Sequence, residues 1–208
     1  MEYVTAYYWQ KEENEGSFLS LQHRKYRRKQ ASVVCTCISD SGEQVRELQG
    51  RMEEELDDEM IWLPHREEEL HGKWSGFLRT QKADGNYAGI LCVENRVLIF
   101  SHGRMRICRC FQRFGRNCWK MMQEPCMVGE VDPGTALLVA DNAFLNFSEE
   151  ELDVCLYPQI PGATTQEQAE NAGRRLRELG EKAERQGGKH MAAVWILPVG
   201  EEDGWIGE

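Results

Sequence analysis

The side chains best placed to do chemistry in this 208-residue chain are two aspartates that end apolar runs. The run Ala136 to Ala140 stops at Asp141-Asn142, and the run Ala31 to Ile38 stops at Ser39-Asp40-Ser41-Gly42. A short apolar run bounded by turn residues predicts a buried strand. A carboxylate at the end of such a strand can hold a hard cation or a polar ligand, since hard divalent cations take oxygen donors. The same aspartates have a structural reading too, because Asp is favoured in the turns that follow strands. Two thiol pairs, Cys35/Cys37 and Cys108/Cys110, offer other chemistry, a thiol-based redox or metal sensor. Each pair falls on a predicted strand, where i and i+2 share one face. That spacing is shorter than zinc-binding cysteine pairs use, so buried free thiols are the plainer reading. His65, His71 and His102 lack zinc-site spacing, and no Gly-x-Ser-x-Gly, Walker-type loop or dinucleotide fingerprint occurs.

The elements that must position these groups follow from periodicity. Strands are predicted at Tyr3 to Trp9, Ser17 to Gln22 and Ala31 to Ile38, with a basic turn at His23 to Lys29. Gln44 to Met60 predicts a helix whose stripe is Val45, Leu48, Met52, Leu56 and Met60, with an acidic outer face at Glu53 to Glu59. A second, weaker helix is predicted at Glu67 to Leu78. Three strands follow, Tyr87 to Val93, Val97 to Ser101 and Met105 to Phe111, with turns at Asn95 and His102-Gly103. Asn117 to Met122 reads as a short strand, Glu124 to Gly129 as a loop, and Glu149 to Leu156 as a short helix. Thr165 to Gln186 is the longest helix, ended by Gly187-Gly188, and Met191 to Leu197 is the last strand. The strand runs are not separated by regular helices, which excludes a parallel doubly wound sheet. Two packed antiparallel sheets with helices outside fit best, an α+β fold.

Composition narrows the class. The chain is 41% hydrophobic and 29% charged, as expected for a globular domain with a core. A formal net charge of −10 argues against general nucleic-acid binding. No apolar run is long enough to predict a membrane span. The first residues lack a basic start and apolar centre, so no signal peptide is expected. The eight cysteines are then expected to be reduced thiols in a bacterial-style cytoplasm.

The order and spacing of these pieces resemble the metal-dependent serine/threonine protein phosphatases of type 2C, the PPM family, from about Tyr3 to Val199. Lys11-x-x-Asn14-Glu15-Gly16 resembles the family's Arg-x-x-Asn-Glu-Asp motif. Val33 to Gly42 resembles the strand carrying its first Asp-Gly, and Val97 to Cys108 the strand and turn that usually read Gly-Asp-Ser-Arg. Val131 to Leu152 resembles the second Asp-Gly block, and Gly187 to Ile196 the final Asp-Asn and strand. The resemblance implies a four-layer αββα architecture, an antiparallel β-sandwich flanked by helices, over residues 1–199, with an acidic tail at 200–208. It also implies a chemistry in which two divalent cations activate a bridging water that attacks phosphorus.

By this resemblance Glu15, Asp40 and Asp141 would be the metal ligands, and Lys11 would stand where an arginine grips phosphate. The set is incomplete. Gly16 replaces Asp, Ser41 and Asn142 replace the glycines, and Lys189-His190 stands where Asp-Asn is expected. Lysine also lacks the planar fork of a bidentate grip. The departures remove carboxylates and add a cation. The expectation is a degenerate phosphatase domain, impaired in catalysis, with Lys189 as counter-charge for Asp40 and Asp141 in place of metal. No cofactor is then expected, or Mg²⁺ or Mn²⁺ if the metal site works. The expected partner is a protein, phosphorylated or not, with no nucleic acid and no membrane. The alternative is an active Mn/Mg-dependent phosphatase on a reduced site.

Overall fold

A computed structural model of the chain describes residues 1–10, 18–26, 31–58, 61, 63, 65–81, 85–113, 116–141, 164–187 and 191–199. The foreseen helix at Glu149 to Leu156 and the acidic tail lie outside them.

Ten strands and three helices are described. They are β1 (Glu2–Trp9), β2 (Phe18–Tyr26), β3 (Ala31–Ser39), α1 (Gly42–Asp57), α2 (Glu67–Thr80), β4 (Tyr87–Val93), β5 (Arg96–His102), β6 (Met105–Arg113), β7 (Arg116–Met121), β8 (Cys126–Glu130), β9 (Ala136–Asp141), α3 (Thr165–Arg185) and β10 (Ala192–Val199). The strands form two five-stranded sheets, ordered β1-β10-β9-β6-β7 and β2-β3-β4-β5-β8. All pairings are antiparallel.

Alternation along the strands sorts side chains into three cores, and the cores define four layers. Val34, Ile38, Ile90, Ile99, Ile107, Val139 and Val194 fill the space between the sheets. The opposite face of the second sheet presents Val33, Cys35, Leu91 and Phe100 to Val45, Leu48, Met52 and Leu56 of α1 and Leu70 and Trp74 of α2. The opposite face of the first sheet presents Val4, Leu138 and Trp195 to Ala172, Leu176, Leu179 and Ala183 of α3. The α1 residues are those of the stripe its spacing foretold. The architecture is the αββα sandwich expected. Cys35 and Cys37 share one core, and Cys108 and Cys110 another, as i and i+2 residues of a strand must.

Local chemistry starts the helices where they start. The Ser41 side chain accepts from the Gln44 amide at the head of α1. Thr164 and Glu167 form a reciprocal capping box at the head of α3. Gly180 of α3 has no room for a Cβ, because the Tyr8 ring would lie 2.3 Å from it. That close approach seats α3 on β1, and the Tyr8 hydroxyl donates to Glu184.

Two expectations are corrected. The basic turn does not begin at His23: β2 continues through Tyr26, paired with Ala31. The loop read at Glu124 to Gly129 is largely strand, since β8 pairs Leu98 with Val128 on the edge of the second sheet.

Candidate functional site

Both aspartates end strands, but in different sheets. Asp40 follows the last residue of β3 and is exposed; Asp141 is the last residue of β9 and is buried, with 4% of its surface accessible. A chain of polar contacts joins them across the end of the sandwich. The Asn86 side-chain amide donates to Asp40 Oδ2 at 2.7 Å. Its carbonyl Oδ1 accepts from the Arg104 backbone N–H at 2.9 Å. The Arg104 side chain then places Nε 2.8 Å from Asp141 Oδ2. Asp40 and Asp141 are therefore brought to one end of the sandwich, separated by an amide and a guanidinium.

Each link has a local cause. Asn86 precedes β4, and its carbonyl accepts from the Asp40 N–H at 3.2 Å, which fixes the side chain beside that carboxylate. Arg104 sits in the tight turn between β5 and β6, where the chain passes from one sheet to the other. That turn needs Gly103, at φ +66°, a region that costs L-residues energy. A Cβ there would also lie 2.3 Å from Asn86 Oδ1. Glycine thus lets the turn close onto the asparagine. Register then aligns Met105 with Asp141 on β6 and β9, so the residue before Met105 reaches the buried carboxylate.

Beside this network lies a cleft of about 470 Å³ lined by Asp40, Ser41, Glu43, Gln44, Glu47, Thr80, Gln81 and Gly85. Gln44 is nearly buried and accepts from the Ser39 hydroxyl at 2.7 Å. Gln81 donates to Glu47 at 3.1 Å. Among the described residues, the ionisable ones lining the cleft are all carboxylates.

A two-metal centre needs several carboxylate oxygens converging on each ion. Among the described residues no group of three or more His, Cys, Asp or Glu is arranged to hold a metal ion. One oxygen of Asp141 is already committed to a guanidinium. A fixed positive charge about 4 Å from a cation costs about 4 kcal/mol per unit charge at an effective dielectric of about 20. The described donor set does not fit a pair of divalent ions. Lys11, Glu15 and Lys189 all lie outside the described residues, so the phosphate grip, the third carboxylate and the lysine counter-charge are not described here. For Asp141 a counter-charge is present, and Arg104 supplies it. Arg104 and Asn86 are the two site residues that sequence reasoning missed. Arg104 stood in a stretch already marked, Val97 to Cys108, and Asn86 just before the strand predicted at Tyr87 to Val93.

The thiols are far less available. Cys35, Cys37, Cys92, Cys108, Cys110 and Cys126 are buried and form no disulfide. Burial pushes the Cys35 thiol up to about 12 and the Cys108 and Cys126 thiols up to about 11. Thiolate, the reactive and metal-binding form, is scarce at such values.

No protein-family model matches the chain, and no curated protein does. Solved structures do. The phosphatase domain of the cell fate determinant SpoIIE from Bacillus subtilis is 10% identical with a TM-score of 0.54, covering 99% of this chain and 95% of that one. The catalytic domain of the serine/threonine phosphatase PstP, in complex with two manganese ions, is 14% identical with a TM-score of 0.57, over 95% and 98%. The Mycobacterium tuberculosis serine/threonine phosphatase PstP/Ppp is 15% identical with a TM-score of 0.56, over 96% and 98%. The fold is that of PPM, type 2C, phosphatase domains.

Proposed function

We propose that this chain is a PPM-fold domain that binds a protein partner and has lost efficient phosphoester hydrolysis. The observation that carries the reading is the Arg104–Asp141 pair, 2.8 Å long, with the carboxylate buried and the guanidinium half-exposed. Asp141 matches the position where the family resemblance expects a metal-ligating carboxylate. Here that carboxylate is neutralised from within the chain. Asp40 is engaged by Asn86, and no third described ligand converges on either. In this reading Arg104, and Lys189 as a second cation, do the electrostatic work that metals do elsewhere. Carboxylates hold the site's shape and no water is activated.

The cleft beside Asp40 adds a second line of support. Among the described residues three carboxylates and no Lys or Arg line it, so a phosphoryl dianion would meet like charge from them. A phosphorylated partner would therefore have to be read through its protein surface rather than by insertion of its phosphate into this cleft. The setting we propose is the cytoplasm; no described helix is long and apolar enough to cross a membrane.

The test is calorimetry with Mn²⁺ together with hydrolysis of p-nitrophenyl phosphate in excess Mn²⁺. The expected result is no tight binding of two ions and no turnover above background, unchanged in Asp141→Asn. Tight binding of two Mn²⁺ ions, with turnover that Asp141→Asn abolishes, would establish instead an active phosphatase built on Glu15, Asp40 and Asp141.

A further inference from the structure

The cleft beside Asp40 repels phosphate, and the same side chains define what it attracts. It lies between the head of α1 and the end of α2. Asp40, Glu43 and Glu47 stand exposed on its wall. Among the described residues none of these three carboxylates has an ion-pair partner. Asp40 accepts from the Asn86 amide at 2.7 Å and Glu47 from the Gln81 amide at 3.1 Å, and both donors are neutral. Further along α1 the acids are answered: Glu53 by Arg24, Glu54 by Arg51 and Glu55 by Lys73. The helix itself explains two of the cleft acids. Asp40 and Glu43 flank the α1 N-terminus, where the dipole favours negative charge. Glu47 is one turn further on from Glu43, and like charges at that spacing repel. A cation bound between them relieves that repulsion.

A buried amide points to the rest of the ligand. Gln44 lines the cleft, yet only 8% of it is exposed. Its Oε1 accepts from the Ser39 hydroxyl at 2.7 Å, and Ser39 Oγ in turn accepts from the Ser41 N–H at 3.2 Å. The serine proton goes to Gln44 rather than to Asp40 Oδ1, which is 3.5 Å away. With Oε1 turned inward to Ser39, Nε2 is the end left to the cleft, and its N–H groups have no partner among the described residues. Two unused donors on a nine-tenths buried side chain call for an acceptor on the ligand. The ligand must therefore carry positive charge and a hydrogen-bond acceptor together.

We infer that the cleft receives an arginine side chain from a segment of a partner protein, whose guanidinium faces Asp40, Glu43 and Glu47 and whose backbone carbonyl accepts from Gln44 Nε2. The volume, about 470 Å³, is in the range of sites for organic groups, roughly 300–1,000 Å³. A bare metal ion does not suit it, because among the described residues no three acids converge on one point. A guanidinium has five donors spread over a plane and can face separated carboxylates at once. A polyamine supplies the charge but no acceptor for the buried amide. The net charge of −10 draws a basic segment toward the chain from a distance. The inference rests on the proposed role as a binding module and adds the place and the partner's chemistry.

The test uses the full chain and a fluorescein-labelled Gly-Ala-Arg-Ala-Gly peptide, followed by anisotropy and by the side-chain amide signals of Gln44 in nitrogen-15 spectra. Saturable binding that weakens as salt is raised, with a shift of the Gln44 signals, is expected. The same peptide with citrulline in place of arginine should not bind. Glu43→Gln/Glu47→Gln should weaken binding about tenfold, the scale of losing two charge contacts. Glu170→Gln/Glu178→Gln makes the same change of charge on α3, in the opposite outer layer, and should leave binding unchanged. If the first double variant does not fold, the preference of the wild type for arginine over citrulline, with the Gln44 shift, carries the test. Equal binding of the two peptides, binding of neither, or equal weakening by both double variants overturns the inference. Displacement of the labelled peptide by less spermidine than unlabelled peptide also overturns it. Mn²⁺-dependent hydrolysis by the same preparation would sink the reading of lost catalysis and leave arginine binding to be judged by these arms, so the two failures are told apart.

Discussion

Two buried carboxylates in this molecule are handled in the same way and sit in very different places. Glu55, on α1, is fully buried and paired with Lys73 of α2 at 2.9 Å. Asp141, at the end of β9, is nearly as buried and paired with Arg104 at 2.8 Å. In each case one acid is desolvated and its cation reaches water, with 27% of Lys73 and 48% of Arg104 exposed. At α1 and α2 the pair joins two helices over a core that contains Leu56, Leu70 and Trp74. At the sandwich end it engages the carboxylate that the proposed function reads as a former metal ligand. The difference teaches that an ion pair is evidence for lost chemistry only by its position. The same kind of contact pins a helix in one layer and, in the proposed reading, occupies a would-be ligand in another.

Breaking the cation in each pair should separate the two roles. Lys73→Met leaves buried Glu55 with the longer Arg51 contact at 3.9 Å and one oxygen lacking a hydrogen bond, and should cost about 3 kcal/mol in urea unfolding. Adding Mn²⁺ should recover none of it. Arg104→Ala should cost about 1–3 kcal/mol, less because its guanidinium is half in water. Here Mn²⁺ should restore part of the loss, read as a rise in melting temperature with metal. If metal rescues neither variant, Arg104 is a structural partner and nothing more. Gly103→Ala should cost about 1–2 kcal/mol through the strained φ and the contact with Asn86, measured by thermal melts.

A pH series sharpens the contrast from outside the two pairs. Cys35, Cys108 and Cys126 have thiol pKa values raised by burial to about 12, 11 and 11, against about 9 for an ordinary thiol. Between those limits the unfolded chain binds fewer protons than the folded one, so stability must fall as pH rises. The urea midpoint should therefore hold up to about pH 9 and decline above it. A flat profile to pH 11 would show that these thiols are not desolvated.

The framework was legible because burial writes itself into periodicity. Tyr87 to Val93 is an unbroken apolar run, and β4 has those bounds. The α1 stripe was read from spacing alone. What stayed hidden was written at the edges. β8 carries Met127, Val128, Gly129 and Glu130, an edge strand with one partner and no clear alternation. β2 runs on through Arg24 and Lys25 because an edge tolerates charge that a central strand would not. The site was half legible for a related reason. Asp40 and Asp141 end apolar runs, and runs can be seen. Asn86 and Arg104 act through side-chain contacts to residues dozens of positions away, which no local pattern encodes.

The pairing of β1 with β10 has a consequence in time. β10 lies between β1 and β9, and Glu2 sits opposite Val199. Among the described strands, the first to be made therefore has no paired neighbour until the last of them has been made. The β2-β3-β4-β5-β8 sheet, drawn from residues 18 to 130, can close much earlier. Non-local pairing of this kind delays folding. During synthesis the tyrosines and tryptophan of β1 must wait for β10 beside a sheet that can already have closed.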